Sequence, residues 1–165
     1  MLQCTMFEKQ KIDLSSAPWM MHEFFAGSGL VAYGLKGMFA PIWANDISEQ
    51  KAAVYAANFG DDHFTLGDIK DVNGCDLPFA HLSWASFPCQ DLSLAGSLGG
   101  IHASRSGLVW EWLRVLDEMP RKPKILLLEN VSGLLSTNGG DNYRVLHNAL
   151  VERKYKCGAI VLNAS

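Results

Sequence analysis

The sequence predicts an α/β fold built on a mostly parallel sheet, and three observations support this. Short apolar runs alternate with longer segments of helical period from Trp19 onward. The run "KILLLEN", Lys124–Asn130, reads as a strand buried on both faces, as strands of parallel sheets are. Glycines and acids collect directly after the apolar runs, where an open α/β sheet holds its ligands. Alternating strands and helices with right-handed crossovers satisfy all three.

The elements follow in order. Residues 1–18 read as an N-terminal arm ending in Pro18, and 19–165 as one domain. Trp19–Phe25 reads as a first strand, and Leu30–Met38 as a helix. Phe39–Asn45 is a second strand, and Ser48–Asn58 a helix with Ser48 as its N-cap. His63–Leu66 is a short third strand and Leu82–Phe87 a fourth, followed by a long helix at Gly107–Met119. Lys124–Asn130 is the fifth strand, beside the fourth in the sheet. Asn142–Arg153 is a helix, and Tyr155–Leu162 a sixth strand.

Composition narrows the function. With 48% hydrophobic and 19% charged residues the chain is globular. It has no apolar run of membrane-spanning length and no secretory pattern at its start. Cys4, Cys75, Cys89 and Cys157 lie far apart without a CxxC pair, which argues against zinc and against a disulfide framework. A reduced, cytoplasmic setting is expected (nuclear in a eukaryote), with no metal and no membrane. The net charge of −3 is not that of a protein gripping a nucleic-acid backbone unaided.

The strand ends carry the chemistry. "FFAGSGL" places Gly27 and Gly29 in a turn that lets a ligand approach the backbone. Asp46 in "ANDIS" suits a ribose diol, or caps the next helix. Asp68 in "LGDIKDV" suits an adenine amino group, or is an exposed turn acid. The GxGxxG fingerprint has Ala32 at its third position, so no pyrophosphate is demanded. A nucleoside with a short charged tail fits, and S-adenosylmethionine is such a ligand. In "SFPCQ", Cys89 sits at the same carboxyl edge, either a nucleophile or a small buried hydrophobe. In "LLLENVSGLL", Glu129 follows four apolar residues. Partial desolvation would favour its neutral form and general-acid work. The alternative is a buried acid satisfied by backbone donors.

The ordered set "FFAGSGL", "ANDIS", "GDI", "SFPCQDLSLAG", "SRSGL" and "LLLENVSGLL" resembles the DNA (cytosine-5)-methyltransferase family from about Met21 to Ser165. The resemblance implies a Rossmann-like, S-adenosylmethionine-dependent fold and methyl transfer to carbon 5 of cytosine in double-stranded DNA. Cys89 would attack carbon 6, Glu129 would hold or protonate ring nitrogen 3, and the base would be flipped out of the duplex. Cofactor contacts fall on Phe25, Ala26, Gly27, Gly29, Leu30, Asp46, Ile47, Asp68 and Ile69, with Pro88 and Leu108 completing the wall. Gln90, Ser93, Arg105, Asn130 and Val131 fall in the substrate and loop segments. Asn130 would brace the loop that carries Cys89. Gly96, Gly99 and Gly100 suit a lid, and Arg105 suits a phosphate or a surface salt bridge.

Departures are few: Glu23 where an aspartate is usual, Leu30 for a second glycine, Asp46 where glutamate is common, and no acid in "HASRSG" before Arg105. After "VLNAS" the family pattern continues with a further strand and a target-recognition domain. The expectation is therefore a catalytic N-terminal part, incomplete at its C-terminal side: a truncated chain, or one subunit needing a second chain to supply the rest. Two rival readings remain and a third fails. A transfer-RNA cytosine methyltransferase typically reads "PPCQPFTR" where this chain has "FPCQDLSL". An inactive cofactor-binding or regulatory module would keep the pocket without turnover. A nicotinamide oxidoreductase would leave Cys89 and Glu129 unexplained.

Overall fold

The computed structural model describes residues 17–88 and 107–163. Its elements are β1 Trp19–Phe24, α1 Leu30–Gly34, β2 Phe39–Asp46, α2 Glu49–Phe59, β3 Phe64–Leu66, β4 Leu82–Ala85, α3 Leu108–Glu118, β5 Ile125–Leu128, α4 Gly133–Ser136 and α5 Asp141–Glu152. Short 3-10 turns lie at Ile69–Asp71, Gly74–Asp76 and Thr137–Gly140. The chain divides into two compact units: Met1–Ser86 with Trp112–Leu128, and Phe87–Glu111 with Glu129–Ser165.

The first unit holds a five-stranded sheet in the order β3-β2-β1-β4-β5. Every pairing is parallel, and β4 and β5 are neighbours as expected. β1 is central, and its last four residues are buried. Side-chain alternation sends Met21 to one face, where it joins Ala26, Ala44, Tyr55, Phe59 and Leu82 in the core. His22 and Phe24 go to the other face and form an edge-to-face ring cluster with Trp43. From Trp112 onward α3 belongs to this unit, and the buried Trp112 indole donates to Ser83 Oγ of β4 at 3.0 Å. The β1–β2 register shifts between Met21 and His22, beside Pro41. Proline has no ladder donor, and β2 has no second neighbour at that level because β3 pairs only with Ala44–Asp46.

Three expectations need correction. The first helix ends at Gly34, not Met38, because Gly34 and the left-handed Gly37 (φ 81°) stop it. The fifth strand is shorter than Lys124–Asn130 and is not buried on both faces: Ile125 and Leu127 are exposed while Leu126 and Leu128 are half-buried. As the last strand in the sheet order it pairs, among the described residues, only with β4, and the apolar run reads the same with one face covered or two. The expected sixth strand at Tyr155–Leu162 does not form, and Ile160, Val161 and Leu162 are exposed. A β-branched apolar run becomes a strand only when a neighbour takes its hydrogen bonds.

In the second unit, α5 follows Gly140, a left-handed N-cap at φ 84°. It buries Asn142, Leu146, Ala149 and Leu150 at the spacing of one helical stripe.

Candidate functional site

The carboxyl ends of β1, β2 and β3 meet in the first unit. After Phe24 the chain turns at once: Phe25 and Gly27 both have φ 57°, and Gly29 has φ 85°. A phenylalanine in that left-handed region is strained. Gly29 admits no side chain, because an added Cβ would collide with the Phe59 ring and come within 3.0 Å of Tyr55 Cδ2. Gly27 is the opposite case, with nothing within 4 Å of an added Cβ. Its backbone is open to a ligand.

Asp46 ends β2 and organises this turn. Its Oδ2 accepts from the Gly27 amide at 2.9 Å, and its Oδ1 accepts from the Ser48 amide at 2.9 Å. Both readings of this acid therefore have a basis: it ties the turn to the start of α2, where Ser48 Oγ accepts from Lys51 N, while each oxygen keeps a further lone pair. Asn45 Nδ2 donates to the carbonyls of Thr65 and Gly67, both at 2.9 Å, and so binds the end of β3 to β2.

Asp68 follows β3 and accepts from Lys70 N at 3.0 Å. The loop it opens is held by Arg114 of α3, whose guanidinium donates to the carbonyls of Ile69, Lys70 and Val72. Arg114 also pairs with Glu118 at 2.7 Å, and Glu118 accepts from the Gly74 amide at 2.9 Å. That amide first, then Arg114, holds the Glu118 carboxyl below its usual range. Gly74 packs against the Val115 backbone too closely for a side chain.

The expected contact residues divide sharply in exposure. Leu30 and Ile47 stand out at 80% and 69% exposed, apolar surface directly after Gly29 and Asp46. Ala26 is buried, and Ile69 is core at 2%. Ile69 opens a 3-10 turn that folds its side chain inward, so what it offers at this edge is backbone.

In the second unit, Asn130 Nδ2 donates to the Phe87 carbonyl at 2.8 Å, two residues before Cys89. Asn130 Oδ1 accepts from Val131 N at 2.9 Å. Pro88 is exposed and Leu108 half-buried. Glu129 is exposed, against the expected partial desolvation, because it lies one residue beyond β5 and the exposed side of that strand leads to it. Cys89, Gln90, Ser93 and Arg105, with Gly96, Gly99 and Gly100, lie outside the described residues.

Sequence reasoning missed Tyr55, His63 and Arg114, and noted Glu23 only as a departure. Tyr55 falls on the apolar stripe of α2, where packing and hydrogen bonding look alike. Arg114 and Glu118 carried a usable signal, an ion pair at i,i+4 in which Arg114 is the helix's one basic residue. Among the described residues no group of three His, Cys, Asp or Glu is placed to hold a metal, and no helix is long and apolar enough to cross a membrane.

Comparison with known proteins identifies the lineage. A family model described as C-5 cytosine-specific DNA methylase matches residues 19–165. The type II methyltransferase M.Bsp6I of Bacillus sp. is 33% identical over 143 residues, covering 85% of this chain and 44% of its own length. M.BsuFI of Bacillus subtilis is 32% identical over 159 residues, with 96% and 37% covered. M.HhaI of Haemophilus parahaemolyticus is 34% identical over 143 residues, with 86% and 42% covered. The chain thus spans about two fifths of the length of these relatives. Among solved structures, the Dnmt2 methyltransferase of S. pombe superposes with TM-score 0.59 at 22% identity over 79% of this chain and 39% of its own. That likeness confirms the α/β, Rossmann-like methyltransferase fold. With its family model matched from Trp19 to the last residue, the chain belongs to the C-5 cytosine-specific DNA methylase family.

Proposed function

We propose that this chain is the catalytic part of a DNA (cytosine-5) methyltransferase that uses S-adenosylmethionine. The observation that carries the reading is the family match across residues 19–165, the span that holds Pro88–Cys89–Gln90 and Glu129–Asn130–Val131. The residues at the β1–β3 edge fit the cofactor: an open Gly27 backbone, two acids with spare lone pairs, and exposed Leu30 and Ile47 for an adenine face. In this reading Asp46 and Asp68 hold the ribose and the adenine amino group, and Phe25 to Leu30 wrap the tail. Pro88 and Leu108 close the wall. When bound, S-adenosylmethionine supplies the methyl group.

Cytosine carbon 5 is a weak nucleophile. The Cys89 thiolate adds to carbon 6, which turns carbon 5 into a nucleophilic enamine carbon. Glu129 holds a proton at nitrogen 3, where charge develops. Once carbon 5 carries the methyl group, loss of its proton returns the electron pair to the ring and expels the thiolate. Asn130 holds the carbonyl two residues before Cys89 and so positions the nucleophile. Gln90, Ser93, Arg105 and Val131 serve the extruded base and its backbone. Residues beyond this stretch, in the same chain or a second one, complete recognition of the DNA. The cytoplasm, or the nucleus of a eukaryote, is the proposed place of action.

Covalent trapping tests the reading. Fluorine at carbon 5 cannot leave as a proton, so 5-fluorocytosine freezes the adduct. The chain is mixed with S-adenosylmethionine and duplex DNA, or transfer RNA, carrying 5-fluorocytosine. The expected result is a DNA-linked protein mass that disappears in Cys89→Ser. No adduct from a chain that binds the cofactor by calorimetry would overturn DNA methylation by this chain, and an adduct with RNA alone would reassign the substrate.

A further inference from the structure

Glu23 is completely buried in β1, and no step of the proposed reaction uses it. Its Oε2 accepts from the Tyr55 hydroxyl at 3.3 Å, while its Oε1 is buried without a partner among the described residues. The Tyr55 oxygen also lies 3.2 Å from His63 Nε2. The Ala32 amide, in the first turn of α1, acts on the same carboxyl. Tyr55 in turn lies directly under Gly29, so closely that its ring helps exclude a side chain there. One buried carboxyl therefore reaches the glycine turn through Tyr55 and the start of β3 through Tyr55 and His63.

The titratable groups packed around it are few. Tyr55 comes from α2, and His63, with Asp62 acting on it, comes from the approach to β3. His22 of β1 bonds the Pro78 carbonyl on the opposite face. Asp46 of β2 is committed to the Gly27 and Ser48 amides. Burial keeps both His63 and Tyr55 in their neutral forms at ordinary pH, lowering the imidazole and raising the phenol.

We propose that Glu23, Tyr55 and His63 form a proton-reversible brace beneath the cofactor turn. With Glu23 ionised, the bonds run from His63 Nε2–H to the Tyr55 oxygen and from Tyr55 O–H to the carboxylate. With Glu23 protonated, the carboxyl O–H donates to Tyr55, Tyr55 donates to Nε2, and His63 carries its proton on Nδ1. One proton from solvent reverses both hydrogen bonds, and the imidazole changes tautomer without gaining charge. The ionised form accepts from the Tyr55 hydroxyl, which lies against Gly29, and so sets the turn. It also favours a cation above it. Burial pushes Glu23 up to about 7, against the pull of the Ala32 amide and Tyr55, so the reversal falls in the neutral range. Affinity for a sulfonium cofactor then rises from pH 6 to pH 8, by roughly fivefold. Only this last consequence rests on the proposed cofactor.

The test is NMR of the full chain without cofactor, labelled at glutamate carboxyl carbons, histidine ring nitrogens and backbone amides, over pH 5.5–8.5. The expected result is one shared midpoint near neutral for Glu23, the His63 tautomer shift and the Gly27 and Gly29 amides. Tyr55→Phe should leave Glu23 titrating but uncouple His63, and Glu23→Gln should hold all of them still. Titration of Glu23 in the ordinary carboxylate range, or glycine amides that do not follow it, would overturn the brace. Calorimetry across the same pH range uses S-adenosylmethionine and its uncharged product S-adenosylhomocysteine. The pH slope should appear for the sulfonium and shrink for the product. Absence of binding at every pH would sink the cofactor reading and leave the brace standing on the NMR result.

Discussion

Asp46 is the residue on which the proposed cofactor edge turns. It accepts two backbone amides at 2.9 Å, one from Gly27 and one from Ser48. In Asp46→Asn one acceptor oxygen becomes an amide group that faces an N–H, so a buried donor loses its partner. That costs roughly 1–3 kcal/mol. Calorimetry should show weaker S-adenosylmethionine binding by about tenfold or more, and thermal melting a lower midpoint. The sequence showed that an acid belonged at this strand end, because strand, acid and helix cap follow one another in "ANDIS". It did not show that both oxygens serve the backbone, because hydrogen-bond partners far apart in sequence leave no local trace. Glu23 is the sharper case. Its neighbours Phe24 and Phe25 mark the strand, but the Tyr55 bond spans 32 residues.

At the scale of elements, the Asp68 loop depends on α3. Arg114 donates to three carbonyls of that loop, and Glu118 accepts the Gly74 amide. Arg114→Met keeps the aliphatic stem but strands those carbonyls. We expect a loss of about 1–3 kcal/mol, with hydrogen exchange faster at Ile69–Gly74 and unchanged in α2. Equal protection in the variant and wild type would show that the clamp is dispensable. The elements themselves were legible where period and punctuation agreed. Ser48 capped α2 as expected, and all five strands of the sheet began within one residue of their expected starts. Tyr155–Leu162 failed because a strand is a property of a pair, and nothing in its own residues names a partner.

At the scale of the whole molecule, two buried groups on opposite faces of β1 give stability opposing pH slopes. Burial lowers His22 to about 4, with the Pro78 carbonyl opposing it. The folded state then binds fewer protons than the unfolded state between about 4 and 6.5, so this contribution is present above 6.5 and is lost as pH falls through that window. Glu23 is raised from 4.5 to about 7, so its contribution is full below 4.5 and is lost as pH rises toward 7. In denaturant melts from pH 4 to 8, His22→Gln should remove the acid-side loss relative to wild type. Glu23→Gln should remove the loss toward neutrality. Unchanged slopes in both variants would refute the assignment.

The strand order also bears on how the chain is made. β1 pairs first with β2, starting only 20 residues later, and then with β4, about 61 residues later. The glycine turn, Asp46, Tyr55, His63 and β3 all lie before residue 67. A nascent chain leaving the ribosome therefore carries the strands and the glycine turn of the β1–β2–β3 edge before β4 is synthesised. The β1–β2–β3 side of the sheet has the short connections that close early, and the β4–β5 side has the long one. Synthesis order and contact order favour the same half, so the β1–β2–β3 edge takes shape first and Arg114 locks its last loop only once α3 has been made.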